Sequence, residues 1–168
     1  MKNNNSVEAN TLLLVIDCQD AFINEFTEPY IDRIDNLVNS NKYRFIAFTK
    51  HINTTDSVFY TRLKYDKCLS EEDRKIVIDT KEYDVFEKLT YTALNDELKS
   101  YIEKKKITEI HLCGFDTEAC VLKTALDLFE NNYNVNVLAD YTMSNSGLDY
   151  HNLALNILRK LIGKNNVI

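Results

Sequence analysis

The run TLLLVID, residues 11–17, constrains the fold most, because its apolar residues Leu12 to Ile16 are continuous and do not alternate with polar ones. A strand of that kind must be buried on both faces, and sheets covered on both faces are those of parallel α/β proteins, whose crossover helices lie on either side. Further strand-like runs follow at YRFIAFT (43–49), DVFEK (84–88), ITEIHLCG (107–114) and VNVLAD (135–140). Between them, apolar residues return at helical intervals. Ile31, Ile34, Leu37 and Val38 make one such face up to residue 39, with Pro29 suited to the first turn. Leu94, Leu98, Tyr101 and Ile102 make a second, from about residue 92 to 105. Val121, Leu122, Ala125, Leu126 and Phe129 make a third, and Leu148, Ala154, Leu158, Leu161 and Ile162 a last one that Gly163 stops.

This alternation predicts one α/β domain of three layers, α-β-α, built on a doubly wound, mostly parallel sheet of five or six strands. Residues 1–10 read as a flexible polar arm and 11–168 as the domain. KIVID (75–79) reads either as a short strand or as a hairpin arm, and Asn166 to Ile168 as a short final edge strand. The longest irregular stretch, 50–74, holds His51, Asp56, Phe59 and Tyr60. Long loops in compact domains tend to carry function.

At 168 residues the chain is long enough to bury a substantial core. A net charge of −6 argues against nucleic acid or an anionic membrane as partner, since both call for clustered Lys and Arg. No apolar run approaches a membrane span, and MKNNNSVEAN lacks the apolar core of a secretory leader. Cys18, Cys68, Cys113 and Cys120 show no CxxC spacing, which points to a reduced protein in the cytoplasm.

In HLCGFDTEACVLKTALDLFE (111–130) a strand stops at Gly114 and a helix begins. Thr117 reads as the N-cap, which puts Cys120 in the first helical turn. Unpaired amides and the helix dipole there favour a thiolate and lower the thiol pKa. The plainer reading is that Cys120 is inert packing. Asp17 closes the first strand and Lys88 the third, and groups at the carboxyl ends of parallel strands converge. Asp17 is then either a general base for the thiol or a turn residue. Lys88 either supports the acid and the thiolate or is simply solvated.

Taken in order, LLLVIDCQDAF, VFEKLTYTAL and GFDTEACVLKTA resemble segments of the isochorismatase-like cysteine hydrolases, the superfamily of nicotinamidases and related amidohydrolases, from about residue 11 to the end. The resemblance implies that Asp17, Lys88 and Cys120 form a catalytic triad cleaving a carbon-nitrogen bond of a small-molecule amide through a thioester, with no cofactor. It implies a cis peptide between Phe115 and Asp116, oxyanion donors in the amides of Asp116 and Cys120, and substrate-side roles for Gln19, Phe22, Phe115 and Tyr91. In related enzymes the loop YTMSNSGLD (141–149) approaches the site. Metal-dependent nicotinamidases carry an Asp and two close His after the second strand. Here only His51 stands in that region, so no metal site is expected and His51 reads as a solvated or capping residue; His151 reads as structural. The same departure puts nicotinamide in doubt as substrate. Members of the superfamily form symmetric oligomers, so a homo-oligomer is compatible with the resemblance. Two other readings stand beside the hydrolase: a thiol redox or sensor protein using Cys120 with Cys113 or Cys18, and a non-catalytic binding module on the same fold.

Overall fold

Five strands form one sheet in the computed structural model, which describes residues 8–168. They are β1 (Glu8–Ile16), β2 (Tyr43–His51), β3 (Asp84–Lys88), β4 (Glu109–Phe115) and β5 (Val135–Met143). All pair in parallel, in the order β3-β2-β1-β4-β5. The expected arm over 1–10 lies outside the described residues as far as residue 7, but Glu8, Ala9 and Asn10 are strand, because β1 finds a partner from Glu8 opposite Tyr43.

The helices are α1 (Glu28–Val38), α2 (Val58–Leu63), α3 (Glu71–Arg74), α4 (Asp96–Lys105), α5 (Leu122–Glu130) and α6 (Leu148–Leu161). Leu12 to Ile16 are all 0% exposed, and Leu14 sits between Ala47 and Leu112. Successive side chains of a strand take opposite faces. Leu12, Leu14 and Ile16 therefore join the cluster covered by α4, α5 and α6, through Leu98, Ala125, Leu128 and Leu158, while Leu13 and Val15 meet Ile34, Leu37 and Val38 of α1. The chain winds outward from β1 to β3, returns to β4 and continues to β5. With right-handed crossovers, that reversal sends the later helices to the opposite face. The reversal falls between β1 and β4, and ligands of such sheets bind beyond the strand ends at that point.

Gly114 lets these two strands close up. Its φ is +107°, and a Cβ there would lie 2.0 Å from the Ile16 carbonyl oxygen, so only glycine fits.

Several boundaries differ from the expectation. β2 runs on to His51, and α4 starts at Asp96 because Asn95 accepts from the Leu98 amide at 2.9 Å. The 50–74 stretch is not irregular throughout: Ser57 and Ser70 cap α2 and α3, helices too short to announce a hydrophobic period. Ile76 makes a single antiparallel bridge to Gln19, and Val167 a single parallel bridge to Val137, so the sheet has five strands with two isolated bridges beside it.

Candidate active site

Three strand ends each deliver one side chain to the same place. Asp17 follows β1 with a φ of 44°, a left-handed conformation that aspartate tolerates. Thr49 on β2 accepts from its amide at 3.1 Å and donates to its Oδ1 at 2.6 Å. Lys88, the last residue of β3, places Nζ 2.7 Å from Asp17 Oδ2 and donates to Cys120 Sγ at 3.3 Å and to the Thr90 carbonyl at 2.9 Å. The ammonium thus donates two hydrogen bonds and holds Asp17 as an ion pair. Asp17, Lys88 and Cys120 are 0%, 3% and 6% exposed. A buried pair of this kind is tolerable only because each charge neutralises the other.

Cys120 reaches this position by an unexpected route. Thr117 is not the N-cap, and the first turn is not α-helical: Thr117–Val121 is wound as a π turn, with the Val121 amide donating to the Asp116 carbonyl at 3.1 Å. The Thr117 hydroxyl instead shares a 2.8 Å hydrogen bond with Nδ1 of the buried His151, which gives that histidine the structural role expected of it. The peptide between Phe115 and Asp116 is cis.

The thiol also differs electrostatically from expectation. Burial pushes the Cys120 pKa well above the usual thiol value, Asp17 adds to the rise, and Lys88 opposes it. Desolvation here favours the neutral thiol over the thiolate, against the expectation from the helix terminus. Burial works against the Lys88 charge too, but Asp17 and Cys120 overcome it and hold this amine above the ordinary lysine value.

A cavity of about 270 Å³ opens over Cys120. Phe22, Phe59, Tyr65 and Tyr91 give it aromatic walls, and Asp116, Glu118, Asn145, Ser146 and His51 its polar ones. A larger groove of about 760 Å³ lies along β3, between residues such as Lys75, Val85 and Glu97, and takes in none of the three converging side chains.

Of the residues expected beside the substrate, Phe22, Tyr91 and Asp116 line the cavity, and two do not. Gln19 is fully buried and spends its amide on backbone, donating to the His51 and Arg74 carbonyls at 3.0 and 3.1 Å and accepting from the His51 amide at 2.6 Å. It pins the segment after β2 to the end of β1. The Phe115 ring is 0% exposed and packs in the core with Val15 and Phe48.

His51 is neither solvated nor a cap. It is 4% exposed, lies edge-on to Phe59 with ring centroids 5.3 Å apart, and burial together with the Lys88 charge lowers its pKa to about 4. The segment carrying Phe59 folds back over it, which a single histidine in a polar stretch does not announce. Glu118, Tyr65, Asn145 and Ser146 also escaped the sequence reading; only the last two had a signal, in the loop after β5. Burial raises the Asp116 carboxyl to about 7, against the Asn145 amide that donates to its Oδ1 at 2.8 Å.

A family model for the isochorismatase domain matches residues 11–165, and the chain belongs to this family of isochorismatase-like hydrolases. Isochorismatase family protein 2A of Dictyostelium discoideum is 28% identical over 151 residues, 83% of this chain and 70% of its own length. Protein 1A of the same organism is 28% identical over 155 residues, 89% of this chain and 71% of its own. Among solved structures, an isochorismatase-like hydrolase from Alkaliphilus metalliredigens superposes with a TM-score of 0.83 at 19% identity, covering 95% of this chain and 94% of that one. The pyrazinamidase of Pyrococcus horikoshii in complex with zinc gives 0.80 at 18% identity, covering 94% and 97%. At such identities the likeness is one of fold. The donor set for zinc does not fit this chain: among the described residues no three His, Cys, Asp or Glu are grouped to hold a metal ion.

Proposed function

We propose that the chain hydrolyses a carbon-nitrogen bond of a small amide, with Cys120 as nucleophile, Asp17 as general base and Lys88 as the charge that supports both. The observation that carries this reading is the position of Lys88 Nζ, 2.7 Å from Asp17 Oδ2 and 3.3 Å from Cys120 Sγ, under a cavity sized for a small molecule. Asp17 takes the thiol proton as sulfur attacks the carbonyl carbon. The negative charge moves to the carbonyl oxygen, where the amides of Asp116 and Cys120 donate. The carbon-nitrogen bond then breaks, the nitrogen leaves with the proton held by Asp17, and a thioester remains. Water, deprotonated by Asp17, attacks the thioester, releasing a carboxylic acid and restoring the thiol. The elevated thiol pKa suits this order of events, since proton transfer then accompanies attack and needs no standing thiolate.

The redox reading has less support, because Cys18 and Cys113 pack in the cluster on the other face of the sheet from Cys120. Four free, buried cysteines agree with a reducing, cytoplasmic setting. Among the described residues no helix is long and apolar enough to cross a membrane. A symmetric homo-oligomer would find an apolar line on α6 in Leu153, Ile157 and Leu161.

The test is ammonia release from a panel of small amides, with mass spectrometry of the quenched protein. An acyl adduct on Cys120 and loss of ammonia release in Cys120→Ala are the expected results. Equal release by both proteins would rule the thioester out.

A further inference from the structure

Two buried polar atoms of residues that line the cavity have no hydrogen-bond partner. Glu118 Oε1 accepts from the Ser144 hydroxyl at 2.7 Å, but Glu118 Oε2 is buried without a hydrogen-bond partner. His51 lines the same cavity, 4% exposed, and its Nδ1 has no partner either. In a neutral imidazole with its proton on Nε2, Nδ1 offers a lone pair. Asp116 adds a second carboxyl.

Cations are missing from this side. No lysine or arginine lines the cavity. Lys88, just beneath, is neutralised by Asp17. Arg62 and Lys123 belong to the shallower apolar groove next door, where both are exposed and their charges are screened. Aromatic rings complete the enclosure, and their faces attract positive charge.

We infer that the cavity selects amides bearing a primary ammonium or a comparable N–H-rich cation, and that Glu118 is the residue that reads this charge. As a statement about substrates it rests on the amide-hydrolase reading; as a statement about binding it does not. An ammonium supplies the missing donor to Glu118 Oε2, and a second N–H, from the cation or from the amide itself, meets His51 Nδ1. A methyl of the same shape leaves the Glu118 oxygen unpaired in a buried site, and a neutral hydroxyl supplies a donor without the charge, so both bind more weakly. An anion meets the Glu118 carboxyl with no cation to offset it.

Two measurements test the inference. Hydrolysis of para-aminomethylbenzamide, para-methylbenzamide and para-carboxybenzamide is compared on the full chain, with kcat/KM for the cationic amide expected to lead the neutral one by at least about tenfold. Binding of benzylammonium, benzyl alcohol and benzoate is followed by calorimetry, which needs no turnover, and affinity is expected to fall in that order. Glu118→Gln keeps the shape and an acceptor for Ser144, and should remove about tenfold of the ammonium's advantage. If none of the amides is cleaved while the calorimetric order holds and Glu118→Gln erases it, the cation reading stands and the amide proposal falls alone. Equal affinities, a preference for benzoate, or an advantage intact in Glu118→Gln would overturn the inference. Should that variant fail to fold, the ligand order in the unmodified protein decides.

Discussion

The turn from Phe115 to Val121 and the excursion from residue 52 to 83 both reach the cavity, yet different forces hold them. In the turn, Phe115, Thr117 and Val121 are 0% exposed, and the chain leaves β4 at a glycine pressed against β1. The excursion is tied down by polar side chains that bind carbonyls. Gln19 holds Arg74, Asn53 Nδ2 donates to the Tyr65 and Lys67 carbonyls at 2.9 and 3.0 Å, and Arg74 Nη2 donates to the Asn53 carbonyl at 2.9 Å. It leaves Val58 and Leu63 56% and 63% exposed. Backbone packing thus sets the reacting groups, and a hydrogen-bonded loop sets part of the wall around them. The wall can change without moving the sulfur.

Substitutions should expose that contrast. The largest effect belongs to Cys120→Ala in the turn, expected to reduce turnover at least about 10³-fold in steady-state kinetics while the fold persists. A variant retaining a tenth of the rate would dissolve the distinction. Next is Lys88→Met, which leaves Asp17 charged, buried and unpaired, and should cost about 3–5 kcal/mol in urea unfolding besides the loss of activity. Gly114→Ala should cost about 3 kcal/mol, since the residue must keep a positive φ while its methyl displaces β1. Gln19→Ala, which unties the excursion, is expected to cost about 2 kcal/mol by leaving buried carbonyls without donors, and to alter KM more than kcat. The smallest effect is that of Leu63→Ala, within about 0.5 kcal/mol in stability and a few-fold in KM.

The two regions should also part in their response to pH. Asp116, in the turn, is raised from 3.8 to about 7, so the folded state holds its proton more tightly than the unfolded one. Its stabilising contribution is complete below pH 3.8 and is lost as pH rises through about 7. His51, pinned by the excursion, is lowered from 6.5 to about 4, so its contribution is present above pH 6.5 and is lost as pH falls through about 4. Unfolding of Asp116→Asn followed against pH should therefore show a flatter decline toward neutral pH than the parent. A parallel pair of curves would refute the assignment.

Much of the fold was legible because Leu12 to Ile16 and the later runs are too apolar to face water on either side, whereas the order of the strands was not read from the sequence. Asp17, Lys88 and Cys120 were legible for a related reason: each terminates a strand or follows one, and parallel strands bring such ends together. What stayed hidden depends on contacts between segments far apart in sequence. Gln19 looks like a pocket residue until Arg74 and His51 arrive from the excursion to use its amide. His51 looks exposed until Phe59 covers it. Thr117 looks like a cap because nothing local reveals that His151 takes its hydroxyl. Glu118 sits in a polar first turn where a carboxylate is unremarked, and only the distant Ser144 aims it.

The π turn at Thr117–Val121 holds one residue more than an α-helix would place there. In a regular helix each residue advances the face by about 100°, so trimming this stretch by one would rotate everything before it by that angle against everything after it. Either the sulfur would swing away from the amine or Ala125 and Leu128 would be turned out of the interior. The segment thus acts as a phase shifter between two fixed directions, and its length is harder to alter than its letters. Removing one residue from this stretch is therefore expected to displace Cys120 from Lys88 more than a substitution beside it would.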